Sequence, residues 1–299
     1  MLETTYANAV LLIALIGSLL LLFSALYRKQ GLLCGVLMAL LAPVLCLLCA
    51  RAYYLLVSRL SGFWLDSGAF LSTEPYDYAF GGGVLGFVLA VWGTALICRK
   101  PFRALGDVFA PAGLAGVALM RLAEAFSDFG WGEVVDAAWM QHYPIAVQNM
   151  FGEWCAAVFN LEALCALVIL AVLLVCRLPG RRLQTALLWW AVCQIFCESL
   201  RVESITWGFV RVQQVESALI ALTLLIVATL RMPKGQRRRS VSCWACFLLA
   251  AGVVAFLEFA IDKMPWPTFV NYVLMAAAVG VLGFCPQRLS ALSRQGAEA

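Results

Sequence analysis

The chain has 299 residues, 64% hydrophobic and only 13% charged, with a net charge of +4. An ordinary soluble domain is about a quarter charged, so this composition argues against a water-soluble enzyme, and no separate stretch is polar and long enough to bury a core of its own. The small positive charge is no nucleic-acid signal either, because the basic residues cluster at the ends of apolar runs.

Those apolar runs recur along the whole length and do not alternate, which predicts an all-α polytopic membrane protein and not a β-barrel. The N-terminal MLETTYANAV has an acidic flank and no basic n-region, so a standard signal peptide is not expected and the first helix is expected to be retained. Nine spans are predicted, roughly 7–27, 32–57, 79–98, 108–127, 153–176, 184–201, 214–231, 241–261 and 267–285. Each is close to the ~20 residues that cross a hydrocarbon layer. The twelve cysteines lie almost all in or beside these runs and read as small buried hydrophobes, not as a disulfide framework. Beyond the last span, Gln287–Ala299 is polar and expected to be disordered.

Basic residues order the loops. Arg28 and Lys29; Arg99, Lys100 and Arg103; Arg177, Arg181 and Arg182; Arg231, Lys234 and Arg237–Arg239; and Arg288 and Arg294 fall on alternate loops, fifteen of the 21 lysines and arginines. The positive-inside rule makes that side cytoplasmic, which predicts an N-terminus outside and a C-terminus inside. The opposite loops carry Asp66, Glu74, Asp77, Asp128, Glu133, Asp136 and Asp262. Two of them, 58–78 and 128–152, are rich in aromatics (Phe63, Trp64, Tyr76, Tyr78; Phe129, Trp131, Trp139, Tyr143) and are expected to lie at the membrane interface as short amphipathic segments.

Six cations remain, Arg51, Arg59, Arg121, Arg201, Arg211 and Lys263, all toward the external side. Charges at membrane depth are costly and need partners, water or a function. An arginine fork suits a phosphate there, because it stays charged and donates two parallel hydrogen bonds. Arg121 and Glu124, and Glu198 and Arg201, stand three apart on their helices, so each reads either as a self-neutralised pair at a span end or as part of a polar site. Glu162 is a candidate partner for an arginine. Gly81, Gly82, Gly83 and Gly86 open the third span; they either admit an anion or a headgroup to the backbone or allow close helix packing. Asp107 is expected to cap the fourth span. Cys243 and Cys246 form a CxxC without a nearby histidine and read as packing; His142, the one histidine, reads as a solvated loop residue. No metal-ligand cluster, no Ser-His-Asp pattern and no P-loop is present, so no metal and no cofactor is expected.

In their order these motifs resemble the prolipoprotein diacylglyceryl transferase family, over about residues 5–230. Ala50-Arg51-Ala52-Tyr53-Tyr54 is similar to the family's Ala-Arg-x-x-Tyr, and Phe80-Gly81-Gly82-Gly83 with Gly86 to its glycine-rich stretch. Asp107, Ala110-Pro111 and Arg121 resemble the run into Gly-Arg-x-x-Asn-Phe, followed by Trp131-Gly132. Leu161-Glu162, Glu198-x-x-Arg201 and Gln214-x-x-Ser217 resemble its Tyr-Glu, Glu-x-x-Arg and Gly-Gln-x-x-Ser segments. Four departures stand out. The family's histidine before the glycines falls at Phe80 or Gly81, its asparagine is Glu124, a following acidic residue is Phe129 beside Asp128, and an arginine is Gln194.

The resemblance implies a bacterial plasma-membrane enzyme, multi-pass in the bilayer. It would transfer the diacylglyceryl group of phosphatidylglycerol to the lipobox cysteine of a preprolipoprotein, recognised through its signal peptide. It implies catalytic roles for Arg121 and Arg201 at the phosphate and for Glu124 as the base. It also implies substrate-binding roles for Arg51, Tyr54, Gly82, Gly83, Glu162, Glu198, Gln214 and Ser217. Residues 1–232 would form the seven-helix transferase-like domain, and 233–299 two added helices with a short cytoplasmic tail. The departures favour an alternative, an altered or inactive relative that binds phospholipid or a membrane partner. A transporter is a third reading, but it would need charges nearer the bilayer midplane.

Overall fold

The computed structural model describes residues 2–60, 78–127, 130–149, 151–176, 178, 181–202, 204–207, 210–232, 238–264 and 267–298. Nine helices lie among them: α1 Leu2–Tyr27, α2 Leu32–Leu60, α3 Phe80–Ile97, α4 Phe102–Ala123, α5 Val158–Val175, α6 Arg182–Leu200, α7 Val212–Leu230, α8 Arg238–Lys263 and α9 Thr268–Glu298. All but α6 contain a stretch long and apolar enough to cross a membrane. The sixth falls short because Arg182, Gln184, Gln194 and Glu198 interrupt it. The protein is therefore an all-α, multi-pass membrane protein, with eight of the nine expected spans meeting the apolar requirement. Two short antiparallel hairpins punctuate it: β1 Ala146–Gln148 with β2 Trp154–Ala156, and β3 Thr206–Trp207 with β4 Val210–Arg211.

The chain forms two compact units, Met1–Ala186 with Leu200–Val212, and Leu187–Ser199 with Gln213–Ala299. The division between them falls within α6 and at the start of α7.

In the first unit Leu21 and Ala25 of α1, Met38 and Ala42 of α2, Ala90, Val91 and Ala95 of α3, and Leu105, Phe109 and Ala112 of α4 share one core. Small residues at the crossings let the backbones approach. A Cβ on Gly82 would overlap the Cys49 carbonyl, and one on Gly86 the Leu45 carbonyl, so both glycines are required by the contact of α3 with α2. Pro43 interrupts the hydrogen-bond ladder of α2, since proline has no N–H for the carbonyl four residues earlier. That carbonyl belongs to Ala39, and Ser18 Oγ on α1 donates to it at 2.8 Å. α1 and α3 each end with a residue in the left-handed region, Lys29 at φ 53° and Arg99 at φ 52°. Lys100 Nζ then donates to the carbonyl and side chain of Gln30 and ties the two turns together.

Asp107 does not cap its own helix. It lies inside α4, and its Oδ1 accepts from Leu183 N at 3.4 Å, in the first turn of α6. One of the unpaired amides at a helix start is met here by a carboxylate from another helix.

In the second unit Leu188, Val192 and Ile195 of α6, Ala221 and Leu225 of α7, Phe247 and Leu257 of α8, and Met275, Leu282 and Leu289 of α9 form a separate core. The tail expected to be disordered is instead the last part of α9, which continues through Pro286 to Glu298. Leu289 is fully buried and Leu292 packs against the same core, so continuing the helix hides apolar surface that a loose tail would expose.

Of the interfacial aromatics, Phe63, Trp64, Tyr76 and Phe129 lie outside the described residues. The described part of 128–152 contains β1 and a short 3₁₀ turn, Ala138–Met140, with Trp139 and Tyr143 exposed.

Alanine in place of a helical glycine ordinarily stabilises by about 0.5–1 kcal/mol. At Gly86 the overlap with the Leu45 carbonyl reverses the sign, and G86A is expected to destabilise by roughly 1–3 kcal/mol. Thermal unfolding in detergent measures this against G116A, where a Cβ meets nothing within 4 Å and no loss is expected.

Candidate active site

Three helix ends in the first unit supply one buried ionic cluster. Arg121 lies in the last turn of α4, Glu124 follows in a 3₁₀ turn over Glu124–Phe126, Glu162 lies in the second turn of α5, and Arg201 directly follows α6. These positions suit the charges. Cations are favoured at the negative C-terminal ends of α4 and α6, and a carboxylate near the positive N-terminal end of α5.

Glu162 accepts from Arg201 with both oxygens, Oε1 from Nε at 3.2 Å and Oε2 from Nη2 at 2.5 Å. Its Oε2 also lies 2.9 Å from Arg121 Nε. Glu124 spans the same two arginines from the other side, Oε1 to Arg121 Nη1 at 2.5 Å and Oε2 to Arg201 Nη2 at 2.7 Å. Side-chain exposure is 2% for Arg121, 7% for Arg201, 0% for Glu162 and 12% for Glu124. Two cations and two anions therefore leave water together as a neutral set, the arrangement that makes buried charge tolerable.

The surroundings hold this set in place. Phe80, at the start of α3, lies over the Arg121 guanidinium at 3.9 Å, a cation–π contact. Tyr6 of α1 is near enough to Glu124, Arg121 and Arg201 to feel their charges. Gly130, at φ +78°, backs onto Glu124, and a Cβ there would overlap Oε2. Its carbonyl accepts from Phe159 N at the start of α5, and Trp131 O accepts from Val202 N. Arg211 Nη1 donates to the Arg201 carbonyl at 2.5 Å and to Ser204 Oγ at 3.0 Å, which fixes the turn that presents Arg201.

The structure thus joins Arg121, Glu124, Glu162 and Arg201. Arg51 is 3% exposed; its guanidinium lies 5.6 Å from the rings of Tyr54 and Tyr78, and Tyr78 precedes Phe80 by two residues. Gly82 is occupied by helix packing, while a Cβ on Gly83 would have only the Cys46 carbonyl within reach, at 4.0 Å.

Glu198, Gln214 and Ser217 belong to the second unit. There Gln194 Nε2 donates to Glu198 Oε2 at 3.4 Å and to Gln213 Oε1 at 3.3 Å. Gln214 Nε2 donates to the Ile195 carbonyl and to Glu258 of α8, and Ser217 is buried.

Tyr6, Phe80, Gly130 and Arg211 join the site without having been assigned roles in it from sequence. A tyrosine just ahead of the first predicted span was the available signal for Tyr6, and a glycine before Trp131-Gly132 the signal for Gly130. The Phe80 contact is a tertiary event. His142 is exposed, as a loop histidine should be, and among the described residues no group of three or more His, Cys, Asp or Glu is placed to hold a metal.

Removing one carboxylate from such a set strands a buried cation, so E162Q is expected to cost about 3–5 kcal/mol. Thermal unfolding in detergent checks this, with E133Q, an exposed carboxylate, expected to change stability by less than about 0.5 kcal/mol.

The family model for prolipoprotein diacylglyceryl transferase matches residues 4–230. A phosphatidylglycerol–prolipoprotein diacylglyceryl transferase of Bacillus cytotoxicus is 26% identical over 208 residues, 67% of this chain and 77% of the relative. The protein of that name from Legionella pneumophila strain Paris is 34% identical over 140 residues, 44% of this chain and 52% of the relative. The one from Clostridium novyi is 25% identical over 188 residues, 60% of this chain and 73% of the relative. The family match covers both arginines and both glutamates of the buried cluster, and this chain belongs to the prolipoprotein diacylglyceryl transferase family.

Proposed function

We propose that this chain is a multi-pass enzyme of the bacterial inner membrane that moves the diacylglyceryl group of phosphatidylglycerol onto the lipobox cysteine thiol of a preprolipoprotein. The observation that carries this reading is the convergence of Arg121 and Arg201 on shared carboxylates at the ends of three helices.

The reaction needs a thiolate, because a thiol is a weak nucleophile. It also needs cations where negative charge collects on the departing glycerol phosphate. In this reading Arg121 and Arg201 take up that charge, and Glu162 orients both of them. Glu124 receives the thiol proton. Arg51 and Tyr54 bind the headgroup beyond the phosphate, with Gly83 beside them, and Gly82 holds α3 close to α2 so that these groups stay near each other. Glu198, Gln214 and Ser217 bind substrate in this reading. The N-terminus lies outside and the C-terminus in the cytoplasm, which puts the cluster toward the outer leaflet, where both substrates are reached from the bilayer. Residues 233–299 are two helices added to the family's part of the chain, which ends near residue 230.

A second reading has its own observation. Phe80 covers Arg121, the family's histidine falls at Phe80 or Gly81, and Gln194 takes the place of an arginine. A relative so altered would bind phospholipid without transferring it.

Expression in cells depleted of their own transferase decides between the two. Mass spectrometry of lipoprotein N-termini is expected to find the diacylglyceryl-cysteine with the wild type. R121A, which removes a charge-stabilising donor, is expected to lower transfer by at least about 10²-fold. Phosphatidylglycerol co-purifying with a wild-type protein that modifies no lipoprotein would favour the binding-only relative.

A further inference from the structure

The two buried glutamates are not equivalent. Glu162 lies within α5, is fully buried and takes Nε of both arginines together with Nη2 of Arg201. Glu124 lies beyond the end of α4, in a single 3₁₀ turn, and keeps 12% of its side chain exposed. Its backbone is anchored, since Ser127 N and Oγ both donate to its carbonyl. Its side chain faces Gly130, which offers no side chain to confine it.

Glu124 also contacts the arginines differently. One oxygen goes to Arg121 Nη1 and the other to Arg201 Nη2, which is how two oxygens of one phosphate bridge two guanidiniums. The charges match as well. Without Glu124, two guanidiniums and Glu162 leave one uncompensated positive charge. A phosphodiester carries one negative charge, so exchanging it for the Glu124 carboxylate keeps the buried set neutral.

We infer that Glu124 is a built-in stand-in for the substrate phosphodiester: it holds Arg121 and Arg201 in the empty enzyme, an incoming lipid phosphate displaces it, and the displaced carboxylate is the base. This rests on the transferase reading and adds its regulation. A carboxylate clamped by two guanidiniums would give up both ion pairs on taking a proton, whereas one released from its cations in a water-poor site accepts a proton readily. The base is thus masked until the lipid has arrived, which protects a buried cluster from proton uptake in the resting enzyme. The step then balances. The thiol proton goes to Glu124, the thiolate sulfur attacks the glyceryl carbon that carries the phosphate ester, a C–S bond forms, and the C–O bond breaks with its electron pair leaving on glycerol phosphate. No oxidant or reductant takes part.

The test uses the full chain in phosphatidylcholine nanodiscs doped with phosphatidylglycerol, with a synthetic lipobox peptide as acceptor. E124Q removes both the resident anion and the base, so it is expected to bind phosphatidylglycerol about tenfold more tightly, with KM falling in parallel, and to lower kcat by at least about 10²-fold. E124D keeps a carboxylate too short to reach both guanidiniums. It is expected to recover at least tenfold of the kcat lost in E124Q while keeping the tighter binding, and it carries the test if E124Q does not fold. A fall in kcat with lipid affinity unchanged overturns the inference, because Glu124 then does not occupy the phosphate seat. Tighter binding with kcat unchanged also overturns it, because Glu124 is then not the base. If the wild type transfers nothing while E124Q binds the lipid more tightly, the exchange stands and the transferase reading falls. If it transfers nothing and E124Q binds no more tightly, both fall.

Discussion

Arg121, Glu124, Glu162 and Arg201 are tolerable in a water-poor interior only as a set. Any one of them alone would carry a desolvation penalty of several kcal/mol. Together their charges cancel, and each contact of 2.5–3.2 Å replaces a hydration bond lost on burial. This requirement ties the end of α4, the start of α5 and the end of α6 to one point, because each contributes a charge that the others must meet. Helix-end electrostatics point the same way, with cations at two C-terminal ends and an anion near an N-terminal end. Much of what lies around the cluster serves to let these ends meet.

The supporting parts are small and specific. Gly130 passes against Glu124 in a backbone conformation that L side chains rarely adopt, and Gly132 lies where a Cβ would come within 2.7 Å of the Leu200 carbonyl. Between them the chain forms bridges to Arg201 and Val202 and to the β2 strand. Arg211 spends its charge on the Arg201 carbonyl and Ser204, a positioning role outside the ion set. Phe80 closes one face of Arg121, and the same start of α3 brings Tyr78 to Arg51. Two cationic features are thereby organised by one short stretch, 78–80. Its spacing against α2 is set by Gly82 and Gly86.

The second unit shows how helices beyond the family match are integrated. α8 and α9 do not hang from the chain; they share a core with α6 and α7. Glu258 of α8 accepts from Gln214, and Met275 of α9 lies against Ser199.

Membrane class, helix number and approximate spans were legible in the sequence, because apolar length is a one-dimensional property read directly against bilayer thickness. So was the presence of a polar site, since Arg121, Glu124, Glu162 and Arg201 stand out in apolar context. Pairing was legible only where the partners are close in the chain: spacing gave Arg121 with Glu124, which do pair, but not the contacts of Arg201 with Glu124 and Glu162, 77 and 39 residues away. Asp107 looked like the cap of its own helix and instead serves α6, 76 residues on. Gly82 looked like an anion cradle or a packing contact, and only the position of the Cys49 carbonyl distinguishes these. The polar tail looked disordered, and burial of Leu289 made it helix. Sequence alone determined which groups are too costly to leave alone in a bilayer. Tertiary structure decided which of them neutralise one another, because an ion pair depends on distance in space, and chain separation does not encode that distance.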